Sequence, residues 1–294
     1  MNKKAFALGL LSALFFSSTF ILNRSMQLGG GSFLWTASLR FIVMLPCLFV
    51  LVMIQGGLSK VHQEIKRQPL PWLIWSLVGF GIFYFFMCLG ADFGSSWLVV
   101  GAWQITIVMG VLLTPLFHKH IPRRALIIAC LIVFGVALIV YENIVEISLH
   151  DTLITVVTIS IAAFAYPLGN RKLMALDHKL STIERVYAMT LCSMPLWIAL
   201  SAIAYYQHGL PGTSQLLQGA SVGILSGVLA TVLFFHATDM SKENPKALAI
   251  TESTIAGEVV FTLLGGVLLL HDPVPGIIAC VGLIIVIVGM AFNR

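Results

Sequence analysis

Long apolar stretches recur along the whole chain, and they constrain its fold more than any other feature. A helix needs about 20 predominantly apolar residues to cross a hydrocarbon core about 30 Å thick. Ten stretches meet this requirement: 5–23, 33–54, 72–90, 97–117, 124–141, 152–170, 186–206, 216–238, 247–270 and 275–292. Only 10% of the residues are charged, against about 25% in soluble domains. The sequence therefore predicts an all-α polytopic membrane protein with ten transmembrane helices, and it excludes a soluble enzyme, a nucleic-acid binder and a disordered chain.

Basic residues between the spans indicate the orientation, because Lys and Arg accumulate in cytoplasmic loops. If the N-terminus is inside, the inner segments and span ends hold Lys3, Lys4, Lys60, Lys66, Arg67, Lys119, Arg123, Arg124, Arg171, Lys172, Lys179, Arg185, Lys242, Lys246 and Arg294. The outer segments then hold Arg24 alone, and Arg40 lies within the second span. This bias predicts a multi-pass protein of the plasma membrane with both termini cytoplasmic.

Short matches recur at an offset of about 150 residues and indicate an internal repeat. They are Ile127–Cys130 with Ile277–Cys280, Asn23-Arg24 with Asn170-Arg171, Pro46 with Pro195, Gln104 with Glu252, Thr106 with Thr254, and Thr114 with Thr262. The period contains five spans, an odd number, so the second copy enters the membrane from the opposite side. We therefore predict one membrane domain built from two inverted five-helix repeats, 1–146 and 147–294, as in many transporters that use alternating access.

Glu258 is the strongest candidate for a functional residue, since an ionisable side chain within the membrane is costly and is a functional hypothesis by default. It lies near the middle of the ninth span. Thr251, Thr254 and Thr262 recur around it at helical spacing, which predicts a polar stripe that faces the bundle interior. Its counterpart in the first repeat is Gly110. Two structural alternatives remain open: an ion pair with Arg40, or a protonated glutamate bonded to a threonine.

Five further residues are candidates for a substrate- or proton-binding site. Glu252 lies six residues from Glu258 towards the predicted cytoplasmic side. It is predicted either to relay protons or to have a structural role at the interface near Lys246. Gln104 is the residue that matches it in the first repeat. Tyr84 and Trp103 lie deep in their spans and offer aromatic faces to an organic cation, although packing alone also explains them. Arg40 is predicted to bind an anion or modulate Glu258, or else to pair with a carboxylate or reach outward to the interface.

The remaining motifs predict no metal, no cofactor and no catalytic activity. All five cysteines lie inside apolar stretches without a CxxC partner or a nearby histidine ligand, so neither a disulfide framework nor a zinc site is indicated. No phosphate-binding loop or hydrolase triad is present. The expected partners are a small-molecule substrate, protons and the lipid bilayer, without nucleic acid.

Two segments carry a resemblance to a known family. Gly101–Thr106 and Thr251–Phe261, together with the two predicted halves, resemble the drug/metabolite transporter superfamily and within it the bacterial multidrug resistance efflux branch (EamA-like). The resemblance implies a central cavity lined by spans 1–4 and 6–9, with spans 5 and 10 at the periphery. Smaller relatives of four helices have their essential glutamate in the first span, where this chain has no acid.

These observations predict a secondary active transporter that exports hydrophobic or cationic organic solutes, with proton antiport at Glu258. A carboxylate in an apolar cavity can bind a proton or a cation but not both favourably, so competition couples the two movements. An exporter of amino acids or other neutral metabolites, with a structural Glu258, is the main alternative. A membrane assembly protein that transports nothing is a third possibility.

Overall fold

Helices account for all regular secondary structure in the residues that the computed structural model describes, which are 3–116, 123–146, 148–176, 180–241, 251 and 254–292. We label them α1 (Lys3–Leu28), α2 (Phe33–Ile54), α3 (Leu58–Arg67), α4 (Pro69–Phe93), α5 (Ser96–Leu112), α6 (Arg123–Glu146), α7 (Leu149–Leu176), α8 (Thr182–His208), α9 (Thr213–Thr238), α10 (Thr254–Leu270) and α11 (Ile277–Phe292). Each predicted span therefore corresponds to a helix, and α3 is additional.

Seven of these helices are long and apolar enough to cross a membrane, namely α1, α2, α4, α6, α7, α8 and α9. The other three apolar helices, α5, α10 and α11, have at most 17 described residues each. The prediction of an all-helical polytopic membrane protein is thus confirmed. The count of ten transmembrane helices stays a prediction.

Helix α3 forms where the sequence analysis expected only a short connection. It is amphipathic: Val61 is fully buried, while Lys66 and Arg67 lie in its last turn, where cations interact favourably with the helix dipole. Nζ of Lys60 lies 3.2 Å from Oε2 of Glu184 at the start of α8. A helix of ten residues with so few apolar side chains gives no hydropathy signal, which is why it was missed.

Four helices are interrupted within the bundle. A π-helical turn occupies Leu77–Ile82 in α4, and a second one occupies Gly223–Ala230 in α9. Helix α5 breaks at Gln104, and α10 begins with a 3₁₀ turn at Thr254–Ala256. The predicted span 97–117 is thus not one continuous α-helix, and the first residues of the predicted span 247–270 lie largely outside the described residues. Such interruptions are frequent at functional sites, and hydropathy does not detect them because the side chains around them remain apolar.

Helix packing brings α5, which is interrupted at Gln104, next to α10. Helix α1 packs against α9 and α10, and α7 packs against α4 and α5. Helix α5 in turn contacts α10, whereas α6 and α11 pack mainly against each other. Helix α5 therefore lies against both α7 and α10 inside the bundle.

Three glycines of α9 allow it to approach α2 closely. Gly219, Gly223 and Gly227 face α2, and a Cβ atom at Gly223 would lie 2.8 Å from the carbonyl oxygen of Arg40. Only glycine permits this approach, since a side chain would need the two backbones to separate. The contact fixes the position of α2 around Arg40.

Candidate functional site

A hydrogen bond between α5 and α10 joins Gln104 to Glu258. Gln104 is 1% exposed and lies at the break of α5; Glu258 is 6% exposed and lies in the first turn of the α-helical part of α10. Nε2 of Gln104 donates to Oε1 of Glu258 at 3.0 Å and to the carbonyl oxygen of Val100, also at 3.0 Å. The structure thus brings together two of the predicted site residues at the two helix interruptions.

Opposing effects act on the charge of Glu258. Burial disfavours a carboxylate, whereas the amide hydrogen bond and the N-terminal end of the helix favour it. None of the ion pairs formed by the described residues includes Glu258. Within the described ranges the carboxyl group is therefore bonded to a neutral amide and not to a cationic side chain.

The threonines near Glu258 differ in their contacts. The Thr254 hydroxyl donates to the carbonyl oxygen of Thr251 at 2.6 Å, so it is engaged with its own chain. The Thr262 side chain is fully buried, and its hydroxyl has no hydrogen-bond partner within the described residues. Of the two predicted site residues, Thr262 is therefore the one with an unsatisfied polar atom. Glu252, six residues before Glu258, lies outside the described residues.

An aromatic cluster adjoins the carboxyl group. Trp103 and Phe83 pack on Tyr166 of α7 with ring centroids 5.6 and 4.8 Å apart. Tyr166 lies close enough to both Glu258 and Arg40 to interact electrostatically with each. It is 38% exposed, although it contacts Phe83 of α4 and Trp103 of α5. Tyr166 was not among the predicted site residues, although it directly precedes Pro167 inside the sixth predicted span.

Arg40 lies in a second polar cluster formed by α1, α2 and α4. Its Nη1 donates to the Thr19 hydroxyl at 3.1 Å, and its guanidinium lies 4.4 Å from the ring centroid of Tyr84. The Tyr84 hydroxyl donates to Oδ1 of Asn23 at 3.1 Å. No ion pair between Arg40 and Glu258 occurs in the described part of the chain. The alternative in which these two residues pair is therefore wrong, because Arg40 is held by Thr19 and Tyr84 instead.

A third cluster, which the sequence analysis also missed, lies at the end of α10. Asp272 is buried, and its Oδ1 lies 3.7 Å from Nε of Arg24. Its Oδ2 accepts hydrogen bonds from the backbone N–H of Ser96, at 2.8 Å, and from the Ser96 hydroxyl. Arg24 was predicted to lie in the outer segment at the end of the first span; α1 continues past it to Leu28. The cluster ties the predicted outer end of α1 to α5 and α10.

Comparison with known proteins shows the family. The family model described as "EmrE: Putative multidrug resistance efflux transporter" matches residues 3–294. The chain is 44% identical to the "Uncharacterized protein YjlA" of Bacillus subtilis (strain 168), over 99% of this chain and 94% of that protein. It is also 44% identical to an "Uncharacterized 42.1 kDa protein in intracellular alkaline protease 3'region" of Shouchella clausii, over 87% of this chain and 70% of that protein.

A solved crystal structure shares the fold. It superposes with a TM-score of 0.63 over 99% of this chain and 96% of its own, at 15% sequence identity. At this level of identity the likeness concerns architecture alone. Together with the family match, these observations show that the chain is a polytopic membrane protein belonging to the EmrE-like multidrug resistance efflux transporter family of the drug/metabolite transporter superfamily.

Proposed function

We propose that this protein is a secondary active transporter of the plasma membrane that exports hydrophobic or cationic organic solutes in exchange for protons. One observation carries the proposal: Glu258 is buried in the bundle, bonded to a neutral amide, and free of any cationic side chain among the described ion pairs. Membership of a transporter family supports the broader class, a small-molecule transporter.

The proposed architecture is ten transmembrane helices in two inverted five-helix repeats, 1–146 and 147–294, with both termini in the cytoplasm. The positions of the helix interruptions support it. The π-helical turns Leu77–Ile82 and Gly223–Ala230 lie about one repeat apart, as do the breaks in α5 and α10. Discontinuous helices at the repeat interface are where transporters of this construction bind substrates and coupling ions.

Packing between the halves gives independent support for the same architecture. Helix α1 packs on α9 and α10, and its proposed repeat mate α7 packs on α4 and α5, which are the mates of α9 and α10. The pair α6 and α11 associates at one side of the bundle. A two-fold axis in the membrane plane relates such contacts, and rocking of one half against the other would expose the Glu258 site to either side.

Competition at Glu258 is the proposed coupling step. A proton neutralises the carboxylate, and a cationic solute neutralises it by pairing; the carboxyl group cannot do both favourably. Gln104 satisfies one carboxylate oxygen when no cation is present. Each elementary charge that crosses a potential of 100 mV gains about 2.3 kcal/mol, so proton entry supplies the free energy for export without ATP.

The aromatic cluster is the proposed contact for the apolar body of the solute. Tyr166 and Trp103 offer ring faces near Glu258, and part of the Tyr166 side chain is exposed. A ring face attracts an organic cation by about 0.5–2 kcal/mol, the more so when water is excluded. This contact favours solutes that are both apolar and positively charged.

Flux measurements in vesicles test the proposal. The purified protein is reconstituted in proteoliposomes, a pH gradient is imposed, and uptake of tetraphenylphosphonium is followed. Glu258→Gln retains size and hydrogen bonding but cannot exchange a proton, so gradient-driven uptake is expected to fall to the level of empty vesicles. Asp151→Asn, at a carboxylate whose side chain is 46% exposed, is the matched control and is expected to leave uptake unchanged.

Two results would contradict the proposal. If Glu258→Gln accumulates the cation as well as the parent protein does, Glu258 is not the coupling residue. If the parent moves neutral solutes at rates that do not depend on the pH gradient, the alternative of a neutral-metabolite exporter replaces proton antiport.

A further inference from the structure

Helix α3 joins two helices that are long and apolar enough to cross the membrane. It follows α2 and precedes α4, and it packs against both of them and against the first turns of α8. A helix that connects two consecutive spans lies at a face of the membrane, because each of its neighbours crosses the bilayer. Helix α3 therefore lies near the boundary between acyl chains and headgroups, where amphipathic helices bind.

Apolar side chains on both sides of α3 indicate its depth. Ile54, the last residue of α2, is 75% exposed, and Leu70, the second residue of α4, is 63% exposed. Met53 and Ile74 beside them are exposed as well. In a bilayer such side chains lie against acyl chains, since contact with water would be unfavourable. Helix α3 follows one of these apolar segments and precedes the other, so its exposed face lies at the level of the headgroups.

The two faces of α3 differ in charge. The residues of the buried or half-buried face are Leu58, Val61, Glu64 and Ile65, and those of the exposed face are Ser59, Lys60, His62, Gln63, Lys66 and Arg67. Glu64, the one acid in the sequence of α3, has a side chain that is 9% exposed, against 50% for its partner Arg67. The pair of Lys60 and Glu184 is arranged in the same way, with side chains 48% and 9% exposed. Both carboxylates point inward and both cations outward, so the surface presents positive charge.

Lys66 and Arg67 offer donors to a further anion. Lys66 is exposed, and none of the ion pairs among the described residues includes it. Arg67 donates to Oε1 of Glu64 through Nη2 at 2.6 Å, and the other N–H groups of its guanidinium can donate elsewhere. The two residues are adjacent in the last turn of α3. An ammonium without an ion partner and a partly used guanidinium suit a phosphate group.

We propose that the exposed face of α3 binds the headgroup of an anionic phospholipid, with its phosphate at Lys66 and Arg67 and its acyl chains against the exposed apolar side chains of α2 and α4. The inference does not depend on the role of Glu258. With both termini in the cytoplasm, as proposed above, the lipid belongs to the cytoplasmic leaflet, whose surface is negative.

Charge selects an anionic lipid over a zwitterionic one. Phosphatidylglycerol has a phosphate and no cation, and each lysine or arginine near the membrane surface is expected to strengthen its binding about fivefold. Phosphatidylcholine has the same phosphate, but its choline group places a cation next to Lys66. The exposed face of α3 should therefore discriminate between two lipids of equal acyl chains.

Native mass spectrometry of the full chain in neutral detergent tests the inference by counting bound lipids. Phosphatidylglycerol and phosphatidylcholine with identical acyl chains are titrated separately, and the dissociation constant of the first bound lipid is measured. The parent is expected to bind phosphatidylglycerol about fivefold or more tighter than phosphatidylcholine. Lys66→Glu exchanges a positive for a negative charge, so it is expected to weaken phosphatidylglycerol binding about 25-fold.

Two further variants make the test specific. Lys4→Glu makes the same charge reversal at an exposed residue of α1, and it is expected to leave the first phosphatidylglycerol bound as in the parent. Glu64→Gln retains every cation of α3 and removes the carboxylate that accepts from Arg67. It is expected to strengthen phosphatidylglycerol binding by up to about fivefold. Because this change has the opposite sign, it decides the outcome if Lys66→Glu does not fold.

Three results would overturn the inference. The first is equal affinity of the parent for the two lipids. The second is an equal loss in Lys66→Glu and Lys4→Glu, which would show attraction to the overall charge of the protein and no site on α3. The third is displacement of phosphatidylglycerol by an equal concentration of glycerophosphoglycerol, the same headgroup without acyl chains, which would assign the site to a soluble phosphate compound.

Discussion

Helices α5 and α10 are broken at related places, yet they offer different chemistry at the break. Helix α5 presents the neutral amide of Gln104 between two α-helical segments, and α10 presents the carboxyl group of Glu258 just after its 3₁₀ turn. The two side chains bond to each other. At the position that matches Glu258, α5 has Gly110.

This difference shows what the two predicted repeats share and what they do not. Both supply an interruption that brings polar side chains into the bundle, and only one supplies a charge. Two acids bonded to each other would share a proton and titrate as a pair. A single acid opposite an amide leaves one site with one proton, which suits competition between a proton and one cationic group.

Exchange of the Gln104 and Glu258 side chains tests directly whether the two positions are equivalent. It is expected to change uptake more than any other substitution considered below. Glu258→Gln alone is expected to abolish tetraphenylphosphonium uptake driven by a pH gradient. In the double variant Gln104→Glu/Glu258→Gln the same hydrogen bond can form with the roles reversed, so part of the uptake should return. Vesicle flux measures both. A double variant as inactive as Glu258→Gln would show that the acid must be on α10, and the two breaks would then not be equivalent.

Much of the fold was predictable from the lengths of the apolar stretches alone, because a helix must reach a minimum length to cross a bilayer. The ten predicted stretches each correspond to a helix, and the seven longest meet the requirement in the structure. The helix interruptions were not predictable from these lengths. The break at Gln104 lies at a contact with Glu258, 154 residues away in sequence, which apolar length does not reveal.

The candidate site was accessible from the sequence only in part. A lone acid in an apolar span pointed to Glu258, and the internal repeat pointed to the helix that carries Gln104. The partner of Arg40 was not predictable, since α1 and α4 supply Thr19 and Tyr84 through tertiary packing. Asp272 was overlooked because an acid beyond the last turn of a predicted span normally lies in water, whereas here Ser96 and Arg24 bury it.

The polar contacts near the ends of α5 and α10 differ as well, and the loss of each should lower the free energy of unfolding by a different amount. Asp272→Ala removes the ion pair with Arg24 and leaves the Ser96 N–H without its acceptor, and we expect a loss of about 3 kcal/mol in the free energy of unfolding. Near the end of α5, Nη1 of Arg171 donates to the carbonyl oxygen of Gly110 at 2.6 Å. Arg171→Met removes that hydrogen bond and is expected to cost about 1 kcal/mol. Chemical unfolding in detergent measures both, and equal losses would contradict the difference.

Alanine substitution of the glycines near the same two helix ends is expected to change the stability of the protein by smaller amounts. A Cβ atom at Gly266 would overlap the Ser96 hydroxyl and lie 2.7 Å from Oδ2 of Asp272, so Gly266→Ala is expected to destabilise the protein by about 2 kcal/mol. At Gly110 the nearest atom is Nη2 of Arg171, 3.3 Å away at the end of a flexible side chain. Gly110→Ala should therefore be neutral or stabilise by up to about 1 kcal/mol, since alanine favours a helix. Thermal unfolding of the two variants tests this order.

Removal of the buried Thr262 hydroxyl on α10 is expected to change the free energy of unfolding only slightly. Because this hydroxyl bonds to no group in the described part of the chain, Thr262→Val removes an unsatisfied polar atom at nearly constant shape. We expect the free energy of unfolding to rise by about 0.5–1 kcal/mol, with tetraphenylphosphonium uptake unchanged if the hydroxyl takes no part in transport. Stability gained together with uptake lost would instead assign the hydroxyl to the solute or the proton at Glu258. A loss of stability would show that the hydroxyl has a bonding partner in the folded protein, and the polar stripe of α10 would then extend beyond Glu258.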